Sequence, residues 1–326
     1  MRRYFILAIA LIVVLGATAL YSGYVRFITP GPLKSDVTLV VPEGTGVAAI
    51  ARQLEATGVI KDAFIFRFGV RLSGADKTLR AGEYLFPPET SARTAMLILR
   101  GGETVVRRLT VPEGLTVAQI LPLLKTADGL FEQMPAPPAE GTLLPETYHY
   151  GWGDTRRELI ARMQGDMTET LAGLWAARSP GLPLASPAEA VTLASIVEKE
   201  TGVAAERPRV AAVFINRLRK GMRLQSDPTV IYALSGGEGE MDRELTRQDL
   251  KVISPYNTYI NAGLPPGPIS NPGRESLQAV LNPMETDELY FVADGSGGHV
   301  FAKTLAEHNR NAAKWRKIRD GKSTGN

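Results

Sequence analysis

Apolar positions along the chain change their spacing several times, and each change predicts a different element. Over residues 4–21 nearly every position is apolar, the lower limit of length for crossing a bilayer, with Arg2 and Arg3 before the run and Arg26 after it. A linker rich in Pro and Gly covers 29–36, and the β-branched run Val37-Thr-Leu-Val-Val41 then predicts a strand. Spacings of three and four at Val47, Ile50, Ala51 and Leu54 predict a helix over 47–54. Ala63-Phe-Ile-Phe-Arg-Phe68 is apolar enough to predict a helix of the core. A strand over 79–86 and a helix over 91–99, stopped by Gly101-Gly102, complete this stretch. The pattern then returns as a strand over 105–111, a turn at Pro112-Glu-Gly114 and a helix over 117–124. Val-Pro-Glu-Gly stands at 41–44 and at 111–114, between a strand and a helix each time. This is a strand–turn–helix unit used twice, too few copies for a solenoid.

The best-marked helix covers 186–201. Ser186 can cap it, Pro187 fits the first helical position, and Glu189 follows the cap by three residues. At about 100° per residue, Ala190, Val191, Leu193, Ala194, Ile196 and Val197 share one broad face, with Thr192, Ser195 and Lys199 opposite. Two carboxylates interrupt the apolar face. Glu200 projects between Leu193 and Ile196, and Glu198 between Val191 and Ala194. Partial burial disfavours the charged form of a carboxyl, which suits it to give up a proton near neutral pH. The plainer reading is a solvated helix end or half of an ion pair. Around this helix, Met134-Pro-Ala-Pro-Pro-Ala139 is a rigid connector, and helices are predicted over 155–178 and 207–219. Strands at 289–293 and 299–301 make a hairpin around Asp294-Gly-Ser-Gly-Gly298. A basic helix with Lys314, Arg316, Lys317 and Arg319 on a solvated face follows.

Composition narrows the chemistry. The 326 residues have room for two or three domains. The absence of cysteine excludes disulfides, thiolate zinc sites and cysteine nucleophiles. His149, His299 and His308 lack metal-ligand spacing, so neither a metal nor a cofactor is predicted. A net charge of +3 does not argue for nucleic acid. Arg2 and Arg3 orient the apolar run with its N-terminal end in the cytoplasm and the remaining chain outside. Tyr4, Tyr21 and Tyr24 suit the two interfaces. Ala17-Thr18-Ala19 also satisfies the rule for signal-peptide cleavage, but the apolar run continues past it through Leu20 and Tyr21, which favours an uncleaved anchor.

Seven motifs then occur in a fixed order. They are Glu140-Gly…Leu144-Pro-Glu-Thr-Tyr148, Ala194-Ser-Ile-Val-Glu-Lys-Glu-Thr201, Val213-Phe-Ile-Asn-Arg-Leu218, Met222-Arg-Leu-Gln-Ser-Asp-Pro-Thr-Val-Ile-Tyr232, Tyr256-Asn-Thr-Tyr259, Gly263-Leu-Pro-Pro-Gly267 and Tyr290-Phe-Val-Ala-Asp294. In this series the chain resembles the MltG (YceG-like) family of bacterial endolytic murein transglycosylases. The segment 235–242 carries no such motif and reads as a variable loop. The resemblance implies cleavage within peptidoglycan glycan strands, at the β-1,4 bond between N-acetylmuramic acid and N-acetylglucosamine, leaving 1,6-anhydro ends. It implies one catalytic Glu at the end of the central helix, and the acid-before-Thr pattern of lytic transglycosylases selects Glu200 over Glu198. Glu146, Tyr148, Asn216, Arg217, Gln225, Asp227, Tyr256 and Asn257 are candidates to hold the sugars. Each also has a structural reading, such as a cap for Asp227 or a buried hydrogen-bonder for Asn216. The strand–helix–helix–strand order after the linker resembles a LysM module, which implies affinity for N-acetylglucosamine polymers; a structural subdomain with no sugar affinity has the same order.

The expected architecture is α+β. Residues 1–28 form a cytoplasmic stub and single-pass anchor in the bacterial inner membrane, 37–104 a LysM-like α+β subdomain, and 105–326 a mixed α/β catalytic domain outside the cytoplasm with a central catalytic helix. Expected partners are glycan strands, the membrane and cell-wall synthesis proteins, with no nucleic acid. A membrane-anchored glycan-binding protein without catalysis and a muramidase that admits water stay open as alternatives.

Overall fold

The computed structural model describes residues 2–323; Met1 and residues 324–326, the outer ends of the expected anchor and catalytic segments, lie outside the described residues. Helices and strands are mixed, as the alternating periodicities predict, and the chain divides into two compact units. The first comprises Met1–Arg107, Gly129–Phe131 and His149–Asp154; the second comprises Arg108–Asp128, Glu132–Tyr148 and Thr155–Asn326.

The first unit begins with α1 (Arg2–Ile28), whose side chains are largely exposed until Phe27. The strands β1 (Val37–Val41) and β2 (Gly82–Phe86) pair antiparallel, with Leu39 opposite Tyr84. Against them lie α2 (Val47–Ala56), α3 (Ala63–Leu72) and α4 (Ala92–Gly101). Asp62 starts α3 by accepting from Phe64 N at 2.8 Å and Ile65 N at 3.1 Å, and Ser91 starts α4 by accepting from Thr94 N at 3.0 Å. Leu54, Phe66, Val70, Tyr84, Phe86 and Leu99 are fully enclosed, each contributing roughly 1.5–3 kcal/mol by leaving water. Phe27 joins this core over Gly69, where a Cβ would lie 2.3 Å from the Phe27 ring; only glycine fits there. One expectation is corrected. Only one side of α3 reaches the core, through Phe66 and Val70, while Phe64, Phe68 and Leu72 are exposed. The helices α1, α2 and α4 that pack on α3 leave this flank open, so apolar content alone overstates its burial.

The repeated Val-Pro-Glu-Gly turn has the same backbone in both places. Gly44 and Gly114 have φ of +74° and +76°, which glycine adopts without steric cost. The second copy joins β3 (Arg107–Thr110), which pairs with β4 (Thr147–Tyr150), to α5 (Val117–Thr126). A capping box between Thr116 and Gln119 starts α5.

The second unit is built around α7 (Pro187–Glu200). It is surrounded by α6 (Arg156–Ala176), α8 (Arg207–Arg219), α9 (Asp227–Leu234) and α10 (Arg274–Leu281). The hairpin β5 (Tyr290–Ala293) and β6 (His299–Ala302) follows, then α11 (Leu305–Ser323). Leu193 and Ile196 of α7 pack in one cluster with Phe214 of α8 and Leu277 and Val280 of α10. Thr192 and Ser195, expected on a polar face, are buried as well, because neighbours cover α7 on all sides. Their hydroxyls stay satisfied. Thr192 Oγ1 donates to Ala188 O at 2.9 Å, and Ser195 Oγ donates to Thr192 O at 2.8 Å while accepting from Ile269 N at 3.0 Å.

Candidate active site

Glu200 is the last residue of α7. Thr201 leaves the helix with extended backbone (φ −140°, ψ 128°), so the Glu200 side chain stands at the end of a buried helix. Ser226 Oγ donates to Glu200 Oε1 at 2.5 Å. Gln225, at φ +53°, turns the chain left-handed immediately before this contact, a conformation that costs a non-glycine residue energy and that clusters at functional sites. Ser226 is fixed from behind by its own N–H, which donates to Thr258 Oγ1 at 3.0 Å. Asp227, at the start of α9, accepts from Tyr259 Oη at 2.5 Å. Burial and the Asp227 carboxylate push the Tyr259 phenol upward, so it remains a donor. Glu200 itself is pushed up to about 7. Burial is the main cause and Asp227 adds to it, while the Ser226 hydrogen bond, His299 and Arg217 act in the other direction.

A second constellation adjoins the first. Glu206 Oε2 lies 2.7 Å from His299 Nδ1 and 3.4 Å from Thr201 Oγ1, and Glu206 Oε1 accepts from His299 N at 2.9 Å. Burial works against it, yet these bonds from His299 hold the Glu206 carboxyl below its usual range. The residue after Glu200 is thereby tied to the start of β6.

Glu198 is in a different state. Its side chain is only 5% exposed, so burial does not separate the two carboxylates; their partners do. Glu198 Oε1 accepts from Arg207 Nη2 at 3.2 Å and Oε2 from Gly273 N at 2.9 Å. The same guanidinium binds Glu113 at 3.0 Å and also Glu275. Glu140 is the other carboxyl pushed up to about 7, chiefly by burial. Its oxygens are engaged, accepting from Val117 N at 3.0 Å and Asn271 Nδ2 at 2.8 Å, which ties the start of α5 to the loop before α10. Glu200 combines the raised value with a single hydroxyl partner among the described residues.

Of the residues expected to hold sugar, Gln225 and Asp227 stand beside Ser226. Arg217 is within electrostatic reach of Glu200, but its Nε donates to Leu289 O at 2.7 Å and its Nη1 to Leu224 O at 2.5 Å. Asn216 Nδ2 donates to Thr286 O at 2.6 Å and Glu288 O at 3.1 Å. Asn257 is buried; it donates to Val252 O at 2.8 Å and accepts from Tyr259 N at 2.9 Å, folding the loop that presents Tyr259. Tyr256 packs on Tyr232 with ring centroids 4.9 Å apart. Tyr148 is buried and donates to Leu144 O at 2.8 Å. Glu146 is exposed and lines a cavity of about 530 Å³ with Asp166, Glu169 and Arg274, apart from the Glu200 group. Sequence reasoning passed over Ser226, Tyr259, Glu206 and His299. Ser226 lies between the flagged Gln225 and Asp227, and Tyr259 closes a flagged motif, so position alone could have found both.

Known proteins resemble this chain over most of its length. The sequence model of the YceG-like family matches residues 39–314. An endolytic murein transglycosylase of Bacillus subtilis (strain 168) is 33% identical over 313 residues, covering 86% of this chain and 85% of the relative. One from Streptococcus pneumoniae serotype 2 is 30% identical over 330 residues; that match takes in 86% of this chain and 58% of the longer relative. A crystal structure of a yceG-like protein from Listeria monocytogenes superposes with a TM-score of 0.52 at 35% identity, over 85% of this chain and 99% of the other. With a family match from residue 39 to residue 314 and a relative one-third identical over most of both lengths, this chain belongs to the YceG-like family.

Proposed function

We propose that this protein is an endolytic peptidoglycan lytic transglycosylase in which Glu200 is the general acid and base. One observation carries the reading: a carboxyl at the end of a buried helix, raised to about 7, with one hydroxyl on Oε1 and no cation paired to it among the described residues. Protonated Glu200 gives its proton to the glycosidic oxygen linking N-acetylmuramic acid to N-acetylglucosamine. As the C1–O bond breaks, positive charge grows on the muramyl ring, and the substrate's own N-acetyl oxygen traps C1. The Asp227 carboxylate, held by Tyr259, stabilises that charge. Glu200, now ionised, takes the proton from the C6 hydroxyl as its oxygen attacks C1 and displaces the N-acetyl oxygen, which restores the acetamido group and closes the 1,6-anhydro ring. Both nucleophiles come from the substrate, so a second carboxylate placed to attack or to activate water is not required. Family relatives bearing the name endolytic murein transglycosylase support this substrate and this class of reaction.

The remaining organisation follows the same reading. Residues 1–28 anchor the chain in the bacterial inner membrane, a role supported by the length and apolar character of α1. The order β1–α2–α3–β2 supports a LysM-like region over 37–104 that brings glycan to the catalytic segment over 105–326. Cleavage within strands near the membrane terminates their growth, which makes cell-wall synthesis proteins its expected neighbours.

The test is product analysis on isolated peptidoglycan with purified variants. Anhydro-ended fragments are expected, and Glu200→Gln should lower turnover by about 10²–10⁴-fold with the fold intact by circular dichroism. Glu198→Gln should be milder. Reducing ends in place of anhydro ends would make the enzyme a hydrolase, and unimpaired cleavage by Glu200→Gln would remove Glu200 from the reaction.

A further inference from the structure

The outer side of α3 carries a row of large apolar side chains left exposed by the described residues. Phe64, Phe68 and Leu72 follow one another at intervals of four residues and are 67%, 38% and 69% exposed. The rings of Phe64 and Phe68 stack, with centroids 6.2 Å apart and planes 12° apart. Single exposed apolar residues are ordinary on a soluble surface; three in register along one helix mark a contact surface.

Three features of the first unit say what that surface meets. At about 100° per residue, the row occupies the flank of α3 next to Ile65 and Gly69. Gly69 receives the ring of Phe27 from the last turn of α1. The row therefore sits beside the end of the helix that is long and apolar enough to cross a bilayer. Next, Phe27 lies six residues beyond Tyr21, where the apolar run ends. That is about 9 Å along a helix, just beyond a headgroup layer of roughly 5–8 Å, within reach of side chains that point back to the acyl boundary. Finally, the charge nearby is basic. Arg67 and Arg71 border the row on its far side, and Arg26 and Lys61 line the cavity where α1 meets the start of α3. No ion pair engages any of these four among the described residues; Asp62 beside them is spent on capping α3, and Asp76 is the one carboxylate lining the groove with Arg67 and Arg71.

We propose that α3 lies in the interfacial layer of the membrane that α1 crosses. Phe64, Phe68 and Leu72 enter the boundary between headgroups and acyl chains, and Arg67 and Arg71 sit on anionic headgroups. The proposal rests on the reading of α1 as an anchor. It gives the first unit two attachments to the bilayer, one spanning and one lying flat.

The chain has no cysteine, so each introduced one is a unique label. The full chain is reconstituted into vesicles of phosphatidylcholine and phosphatidylglycerol, spin-labelled singly at Phe64→Cys, Leu72→Cys, Leu11→Cys or Ala56→Cys. Collision with oxygen reports acyl surroundings, and collision with a nickel chelate reports water. Leu11, in α1, is the membrane reference; Ala56, exposed on α2, is the water reference. Labels at 64 and 72 are expected to favour oxygen several-fold over the label at 56, at shallower depth than the label at 11. Arg67→Glu with Arg71→Glu should reduce that preference. Labels at 64 and 72 that behave like the one at 56, with 11 in lipid, would overturn the interfacial placement and leave the anchor standing. Labels at 64 and 72 shielded from both probes would also overturn it, in favour of a second copy of the chain. A label at 11 open to the nickel chelate would end the anchor reading and this proposal with it.

Discussion

At the scale of single residues, what distinguishes Glu200 is compensation. Glu198 is equally enclosed but faces Arg207, and Glu140 is raised to the same degree but spends its oxygens on Val117 and Asn271. Two neighbours act on Glu200 with opposite sign, which gives a paired prediction. Ser226 donates to the ionised carboxyl and favours it, so Ser226→Ala should move the alkaline limb of the pH–rate profile to higher pH. Asp227 disfavours the ionised form, so Asp227→Asn should move that limb to lower pH. Profiles of kcat/KM decide the matter, and shifts in one common direction would reject the assignment. Stability follows from the same value. A carboxyl raised from 4.5 to about 7 in the folded state stabilises that state fully below pH 4.5, and the contribution is lost as pH rises through 7. Glu200→Gln removes that loss, so it should be the more stable protein at pH 8 by about 1–3 kcal/mol, with little difference at pH 4. Urea unfolding at the two pH values checks it. The sequence made Glu200 legible because a carboxylate on an apolar face breaks a periodic pattern. It could not show that Asn216, Asn257 and Tyr148 already hold backbone partners within the protein. A sequence displays donors, and whether a backbone carbonyl has already taken them is decided by distant parts of the chain.

Among elements, the same limit appears in faces. Periodicity told which residues of α7 and α3 share a side but not how many neighbours would cover them. Thr192 and Ser195 went inside because four helices surround α7; Phe64 and Leu72 stayed outside because α1, α2 and α4 leave that flank of α3 open. The two Val-Pro-Glu-Gly turns show it again. Their backbone is shared and their use is not. Glu43 is exposed, whereas Glu113 joins Glu198 and Glu275 on Arg207. Burial and the Glu198 charge push the Glu113 carboxyl up, against the pull of Arg207, so the knot depends on that one guanidinium. Arg207→Met preserves bulk and leaves Glu198 buried beside like charges. It should cost about 3–5 kcal/mol, the range for breaking a buried pair. Adding Glu198→Gln should recover part of the loss. Equal unfolding midpoints for parent and Arg207→Met would show that the knot contributes nothing.

For the molecule as a whole, the anchor and the order of regions are open to direct measurement. N-terminal sequencing of the membrane fraction should return the uncleaved start of the chain; a mature end near Leu20 would make residues 4–21 a signal peptide. Deletion of residues 37–104 should leave some turnover of soluble strands, and a folded deletion protein without turnover would make that region part of the catalytic machinery. One further consequence follows from the contact between Phe27 and Gly69. The apolar run over 4–21 measures about 27 Å along α1, slightly short of a hydrocarbon layer of about 30 Å. On the anchor reading such a helix stands close to upright, and the bilayer thins around it in place of the helix leaning. The last turn of α1 packs into the first unit through Phe27, so that unit is held at one height and one angle to the helix. A thicker membrane then changes the strain in the lipid around the anchor and leaves the angle of the first unit unchanged.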